Sequence, residues 1–566
     1  MRRVLLISLA ALVVLGGVAG AFGIYGYYAH KWRLDPIFGL AERAETKLRR
    51  DLGLKTDTEL GVERIQTTFL ALKGRVHVMP DRDFMNGGAL TVWGDDLLVM
   101  HRTGKVFWID RDEEEGMVLS DLAVPENGRQ GYARLAAEKY PDRGTRIDSL
   151  RYNDIEYIET EDRRGLLLSY TFVDVAAECY RSRVTWLDLP ETIGSIRDLK
   201  NTSEDWELVF ETSPCLDFNP SGELMLAYMA GGRMAFKAPN LLYLGSGEYH
   251  REGIYRPDSG IQDPDSDYGK TIEINLDSRT SRVYSTGHRN LQGVTLDADG
   301  RLWTTEHGMR GGDELNLIRD GENYGWPIVD MGTLYSGIPQ DSPSGPGRHT
   351  DFTAPVFAWV PSAAVSSLAL VDGFHETWDG DILIGSLKNR TLYRARIHDD
   401  RLVALEPIPI GQRIRDVMQW GPDRIALWLD LNEVVVFEIE PRNNPLDGIT
   451  EKLVADGIDP TLAALAHQTL EGCAECHAYE ADIHGAGPSL AGVVGRNVAG
   501  TAFADYSDAL RGQGGTWTPD QLAAYIADPG AVVEGTIMTG LGVGNPDLAA
   551  AMAAALDKIE VTKRQR

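Results

Sequence analysis

Between residues 61 and 440 the apolar positions come in short runs separated by Gly, Asp, Asn and Pro, and helical periodicity is scarce. Runs this short, bounded by turn formers, predict β-strands joined by tight turns. One unit of strand, polar turn and strand recurs: residues 89–100 leading to 106–109, 154–172, 232–245, 293–305, 367–384 leading to 391–397, and 416–429 leading to 434–439. Successive units start about 50 to 80 residues apart, as in a loose repeat with insertions. Six antiparallel units predict a mainly β, six-bladed propeller, whose radial closure leaves only short protected edges. A strand near residues 65–72 would complete the last blade. A pair of β-sandwiches fits less well, because the repeat runs through without a break.

The two ends follow other patterns. Arg2 and Arg3 precede an uncharged run over residues 4–29, long enough for a transmembrane helix. Tyr25, Tyr27, Tyr28 and Trp32 fall where an interfacial aromatic belt is expected. Residues 1–33 therefore read as a single-pass membrane anchor with its basic end inside and the body exported. The competing reading is a cleaved signal peptide, whose apolar stretch would be shorter and whose cleavage site near Val18-Ala19-Gly20 is weak. Residues 34–60 read as a helical connector and 61–440 as the propeller. Residues 441–447, rich in Pro and Asn, end the last strand, so 441–458 read as a linker. A small all-α domain over 459–560 and a basic tail over 561–566 complete the chain.

The chain has 566 residues, 43% of them apolar and 25% charged, an ordinary globular balance. Its net charge of −28, without any basic stripe to neutralise phosphates, argues against a nucleic-acid partner. There are four cysteines. Cys473-Ala474-Glu475-Cys476-His477 has the arrangement that covalent haem attachment requires: two thiols to add across the vinyl groups, then an imidazole to ligate iron. A zinc site would need a second ligand pair, and none is evident. Such attachment, together with the anchor, points to a body in a bacterial periplasm. In that oxidising space Cys179 and Cys215, each beside a strand-like run (181–187 and 206–211), are expected to form a disulfide. The alternatives are buried free thiols or a catalytic cysteine, for which no activating histidine or helix start is evident.

The sequence around the haem motif resembles the class I cytochromes c over residues 459–559. A helix-compatible segment, 461–469, leads into the motif. Gly487-Pro488-Ser489-Leu490 matches the loop whose proline carbonyl orients the ligating histidine. Phe503-Ala504-Asp505-Tyr506-Ser507-Asp508-Ala509-Leu510, Trp517-Thr518 and Gly535-Thr536-Ile537-Met538 match further on. The resemblance implies haem c bound through Cys473 and Cys476, with iron held by His477 and Met538; Met552, on an Ala-rich helical stretch, suits a core role. Histidine plus methionine raises the potential and leaves no open position, which suits electron transfer.

A second block is dense in polar groups flanking strands: Gly287-His288-Arg289-Asn290-Leu291-Gln292-Gly293, then residues 303–317, then Asn323-Tyr324-Gly325-Trp326-Pro327. Arg289, Asn290 and His307 near strand ends suggest a polyanionic ligand at the mouth of the propeller; turn chemistry would also explain Gly311-Gly312-Asp313. This block resembles the pyrroloquinoline quinone (PQQ) dependent glucose/sorbosone dehydrogenases, which are six-bladed propellers. The resemblance implies that Arg289, Asn290, His307, Ser362, Lys388, Arg413 and Arg415 hold PQQ, and that backbone carbonyls of Gly308 and Met309 hold calcium. Arginine forks bind carboxylates bidentately, which suits a tricarboxylate quinone.

The departures bear on catalysis. The family's base is a histidine two residues before a Gly-Gly-Arg turn; here Gly231-Gly232-Arg233 is present, but the position holds Met229, which cannot accept a proton. His307, His288 and His250 are candidate replacements, His307 foremost. The family's second-blade glutamine segment is missing, with Arg151-Tyr152-Asn153-Asp154 near its place, and Met309 replaces a proline. The expectation is a PQQ-dependent dehydrogenase of a sugar or alcohol, passing electrons through the tethered haem to a respiratory acceptor. The alternative is a non-catalytic propeller that binds carbohydrate or a partner protein and carries an electron-transfer cytochrome.

Overall fold

The computed structural model describes residues 61–559 apart from 81–86, 113–115, 140–148, 219–226, 256–257, 341, 441–444 and 482. The anchor, the connector and the basic tail read from the sequence lie outside these residues. No described helix is long and apolar enough to cross a membrane.

Six antiparallel sheets follow one another along the chain. Their first strands are Gly88–Trp93, Tyr152–Glu159, Gly231–Lys237, Leu291–Leu296, Val365–Leu370 and Ile414–Gln419. Each first strand packs beside the next, and that of blade 6 packs beside that of blade 1, so the ring closes. The closing strand is Ala71–Val78, antiparallel to Glu433–Ile439 from the Leu72–Ile439 pair to the Val78–Glu433 pair. This differs from the strand expected over 65–72. Thr67 bonds through its hydroxyl to the carbonyl and amide of Leu70, both at 2.9 Å, and the turn sends only Ile65–Gln66 back along the outer edge.

The sheets are held by side chains packed between blades. Trp93, Trp303, Trp378, Trp420 and Trp428 are fully buried there. Cys179 and Cys215 form a disulfide with Cα atoms 5.6 Å apart. It pins Leu216–Asp217 against the strand Cys179–Asp188. A closed loop with a sequence separation of 36 stabilises the fold by about 4 kcal/mol on the chain-entropy account.

The second unit, Pro441–Arg566, is all-α, with helices Ile449–Ala455, Pro460–Cys473, Asp508–Gln513, Pro519–Ala527, Pro529–Val532 and Pro546–Lys558. Asp459, Thr518 and Asn545 cap three of these through their side chains, each just ahead of a proline at the first helical position. The stretch read as a linker is partly this unit's own structure. Leu446, Ile449 and Leu453 are buried in the helical core: Ile449 and Leu453, four apart, share one face of the helix Ile449–Ala455, and Leu446 lies in the turn before it.

Candidate functional site

In an antiparallel blade the first strand starts, and the second ends, on the same face of the ring. That rule alone gathers the residues singled out in the sequence. Met229, Arg289, Asn290, Ser362 and Arg413 lie just before first strands, and Arg415 lies at the start of one. His307 and Lys388 follow second strands, as do Glu248 and Asp430.

Below this face a charge network ties four blades together. Arg233 Nη1 donates to Asp154 Oδ1 at 3.0 Å and Asp416 Oδ2 at 2.9 Å, while Nη2 donates to the Gly88 carbonyl at 3.0 Å. Asp416 also accepts from Leu90 N at 2.7 Å and Asp154 from Met234 N at 2.7 Å. Burial, with Asp416 adding to it, pushes the Asp154 carboxyl up to about 7 against the pull of Arg233. Glu156 is raised well above the usual carboxylate range by burial and then by Asp154 and Asp416. Arg233→Met is expected to destabilise the propeller by roughly 3–5 kcal/mol, because two carboxylates would be left buried without their cation. Urea unfolding followed by tryptophan fluorescence measures it; an unchanged midpoint would show the network to be dispensable.

The guanidinium of Arg289, 2% exposed as a residue, lies on this face between blades 3 and 4. Its Nη1 donates to the carbonyls of His307 (3.1 Å) and Gly308 (2.6 Å); its Nη2 donates to Tyr335 Oη (3.1 Å) and to Met229 Sδ (3.4 Å). Position 229 therefore presents a thioether to a cation. Glu248 is fully buried, with Oε2 accepting from Trp326 Nε1 at 2.7 Å and Oε1 3.6 Å from Arg289 Nε. Oε1 takes no hydrogen bond among the described residues. Burial pushes this carboxyl up to about 7, opposed by Arg289 and the Trp326 hydrogen bond.

His307 does not fit the role of base. Its Nε2 lies 2.6 Å from the Val365 carbonyl and its Nδ1 3.4 Å from the Asn290 amide nitrogen, so both ring nitrogens are engaged and burial holds the imidazole neutral. What it does is orient Asn290, whose Oδ1 is held by Gln292 at 3.0 Å. His288 is likewise unsuited: it is fully buried between Ser285 Oγ (2.8 Å) and Glu306 Oε1 (2.9 Å). His250 has left-handed backbone just past Tyr249, with nothing further to assign it a proton-transfer role.

Arg413 and Arg415 both turn their Nε toward Asp430, which they hold below the usual carboxylate range although burial acts the other way. Anchored through Nε, Arg415 has terminal amines that make no hydrogen bond among the described residues. Ser362 donates to Asp313 Oδ2 at 2.6 Å and so supports the loop rather than presenting its hydroxyl. Arg415, Arg413, Lys388 and Asn290 on one face fit a polycarboxylate. The carbonyls of Gly308 and Met309, expected to hold calcium, lie in the loop after the second strand of blade 4. The Gly308 carbonyl accepts from Arg289, Met309 is buried against Ile261 and Trp326, and no cluster of three His, Cys, Asp or Glu suited to a metal occurs among the described residues.

In the helical unit Cys473 and Cys476 are unpaired thiols at the end of Pro460–Cys473. With His477 and Met538 they line one cavity of about 1270 Å³, part of it open to solvent, whose walls include Leu490, Phe503, Trp517, Leu522, Tyr525 and Met552. His477 Nδ1 lies 2.7 Å from the Pro488 carbonyl, which assigns the proton to Nδ1 and leaves Nε2 as a ligand atom. Gly487 lies flat on the imidazole, where any Cβ would clash. The chemistry and space of this donor set fit a covalently held haem.

Sequence reading missed Glu248, Asp430 and the Asp154–Arg233–Asp416 network. The signal was present for two of them: Glu248 and Asp430 follow second strands of blades 3 and 6, where His307 and Lys388 follow those of blades 4 and 5.

The glucose/sorbosone dehydrogenase family profile matches residues 191–434. An aldose sugar dehydrogenase of Escherichia coli is 30% identical over 302 residues, 48% of this chain and 76% of that protein. An uncharacterized Synechocystis protein is 35% identical over 258 residues, 42% of this chain; the match spans 60% of that relative's length. The C-terminal unit is similar to cytochrome c2 iso-2 of Magnetospirillum fulvum, 44% identical over 82 residues, 14% of this chain and 85% of that protein.

Proposed function

The chain belongs to the glucose/sorbosone dehydrogenase family through its propeller and to the cytochromes c through its C-terminal unit, and from that premise we propose a quinohaemoprotein dehydrogenase. It oxidises a sugar or related alcohol with PQQ and delivers the electrons to its own haem c. The observation that carries this reading is the single face where Asn290, Lys388, Arg413 and Arg415 converge, in the same chain as a haem-type cavity. Covalent tethering keeps donor and acceptor at high effective concentration. A membrane anchor, a periplasmic body and a respiratory acceptor belong to the same reading.

Arg413, Arg415 and Lys388 would bind the carboxylates of the quinone and Asn290 would contact its ring system. PQQ, when bound, supplies the two-electron redox chemistry. The protein's share is binding, orientation and proton transfer. His307 stays neutral and fixes Asn290. A substrate hydroxyl needs a proton acceptor that Met229 cannot provide. We assign that part to Glu248, whose Oε1 lies beside the guanidinium that contacts Met229, takes no hydrogen bond among the described residues and, being fully buried, would have to be uncovered by movement of Arg289 to meet the substrate.

The test is to add PQQ, with and without calcium, to the purified protein, follow binding by fluorescence, and then add aldoses while recording haem absorbance. Reduction of the haem that requires both PQQ and sugar supports the proposal. PQQ binding without haem reduction would favour the second reading, a binding propeller whose catalytic position is filled by the Met229 thioether against Arg289. No PQQ binding sinks the cofactor assignment.

A further inference from the structure

The closing strand of blade 6 carries Lys73, Arg75 and His77 at alternate positions, so their side chains share one face. Facing them across a shallow pocket are Asp110 and Arg111 from blade 1 and Trp420, Arg424 and Glu438 from blade 6. Each carboxylate of this wall already has a cation. Asp110 Oδ2 accepts from Arg197 Nη2 at 2.6 Å, and Glu438 Oε1 pairs with Arg424 Nε at 2.8 Å. Arg111 in turn pairs with Asp423. Arg111 and Arg424 are further held against the Trp420 ring, 5.8 and 5.2 Å from its centroid. Lys73 and Arg75 have no carboxylate partner among the described residues. His77 forms the floor, 5% exposed, with a buried Nδ1 that takes no hydrogen bond there.

We propose that this pocket binds a phosphate-type oxyanion, held by Lys73 and Arg75 at its mouth and received at its floor by His77 Nδ1. Two cations with no ion pair among the described residues, one of them directly across the strands from the Arg424-paired Glu438, lie over a buried ring nitrogen that takes no hydrogen bond there. A tetrahedral oxyanion satisfies all three at once: guanidinium and ammonium give charge-assisted bonds, and the ring nitrogen gives the floor contact in its Nδ1–H form. Burial and then Arg75 and Arg424 push His77 down to about 4 against its contact with the Gly116 carbonyl, so the ring is neutral and gives the oxyanion a donor only in its Nδ1–H form, without adding charge. The site lies on the outermost part of blade 6, on a strand that carries none of the proposed cofactor residues. It therefore stands or falls independently of the proposed dehydrogenase. The oxyanion can be free or the headgroup of an anionic lipid.

Calorimetric titration of the full chain with inorganic phosphate at low ionic strength is expected to give saturable one-to-one binding, weakened about tenfold or more in Arg75→Glu and Lys73→Glu and largely kept in Arg75→Lys. Circular dichroism of each variant checks that the propeller is intact. Co-sedimentation with phosphatidylcholine vesicles containing phosphatidylglycerol forms the second arm. Vesicle binding lost in Arg75→Glu identifies a headgroup, and phosphate binding without vesicle binding identifies a free anion; either supports the site. Absence of saturable phosphate binding together with absence of Arg75-dependent vesicle binding overturns it, as does phosphate binding indifferent to folded Arg75→Glu and Lys73→Glu variants.

Discussion

Met538→Leu is expected to leave haem covalently attached to Cys473 and Cys476 while lowering its reduction potential by roughly 0.1–0.3 V, within the ~0.8 V that axial ligation commands. The argument begins with the cavity. His477 has its Nδ1 committed to the Pro488 carbonyl at 2.7 Å, so Nε2 is the atom left to bind iron. Two methionines line the same cavity, and the structure separates their roles. Met552 is 1% exposed on the helix Pro546–Lys558 and packs in the core of the unit. Met538 is only partly buried, on a turn after Thr536. Thr536 is itself fixed by Tyr525, their hydroxyls 2.6 Å apart, so the turn is set against the cavity wall. Met552→Leu is a volume-conserving core change costing less than about 1.5 kcal/mol and should leave the potential alone. Redox titration followed in the visible spectrum compares the pair; equal potentials in both variants would refute the assignment of Met538.

The parts of this architecture that were readable in the sequence are those decided by neighbours in the chain. Each blade is a local antiparallel meander, so short apolar runs between turn formers are enough to count six. The haem motif is likewise local. Long-range contacts were the harder part. The closing strand starts at Ala71 rather than near Ile65 because its register is set against Glu433–Ile439, more than three hundred residues away, and because Thr67 and Leu70 bond into a turn. Leu446, Ile449 and Leu453 look like part of a Pro- and Asn-rich linker until the helical core that covers them is known. His307 illustrates the same limit at the site. An imidazole in a polar motif suggests a base, and only the fold brings the Val365 carbonyl from the next blade onto its Nε2. Glu248 was concealed by the converse effect. Its neighbours Gly247 and Tyr249 say nothing of Arg289 or Trp326, which reach it from blade 4.

Glu248→Gln should lower sugar-dependent haem reduction by about 10²–10⁴-fold, the range that a positioned general base contributes. The amide would keep the shape and the Trp326 contact but lose the proton-accepting carboxylate. The same substitution has a consequence for folding that needs no cofactor. In the native protein burial raises the Glu248 carboxyl from 4.5 to about 7. Below pH 4.5 both folded and unfolded chains hold the proton, and this group's contribution to stability is fully present. As pH rises the unfolded chain releases the proton first, so stability falls until the folded carboxyl also ionises near pH 7, a loss of up to about 3 kcal/mol. Asp154 and Asp330, raised by burial to about 7 and about 6, act with the same sign. Propeller stability should therefore decline between pH 4.5 and 7 in the parent chain and decline less in Glu248→Gln. The comparison concerns the slope alone, because leaving Arg289 without its carboxylate displaces the whole curve. Urea unfolding at a series of pH values supplies the slope, and PQQ-dependent haem reduction by aldose supplies the rate. A flattened slope with undiminished turnover would keep Glu248 as a buried carboxylate and remove it as the proton acceptor; an unchanged slope would mean that its raised titration is not a property of the folded propeller.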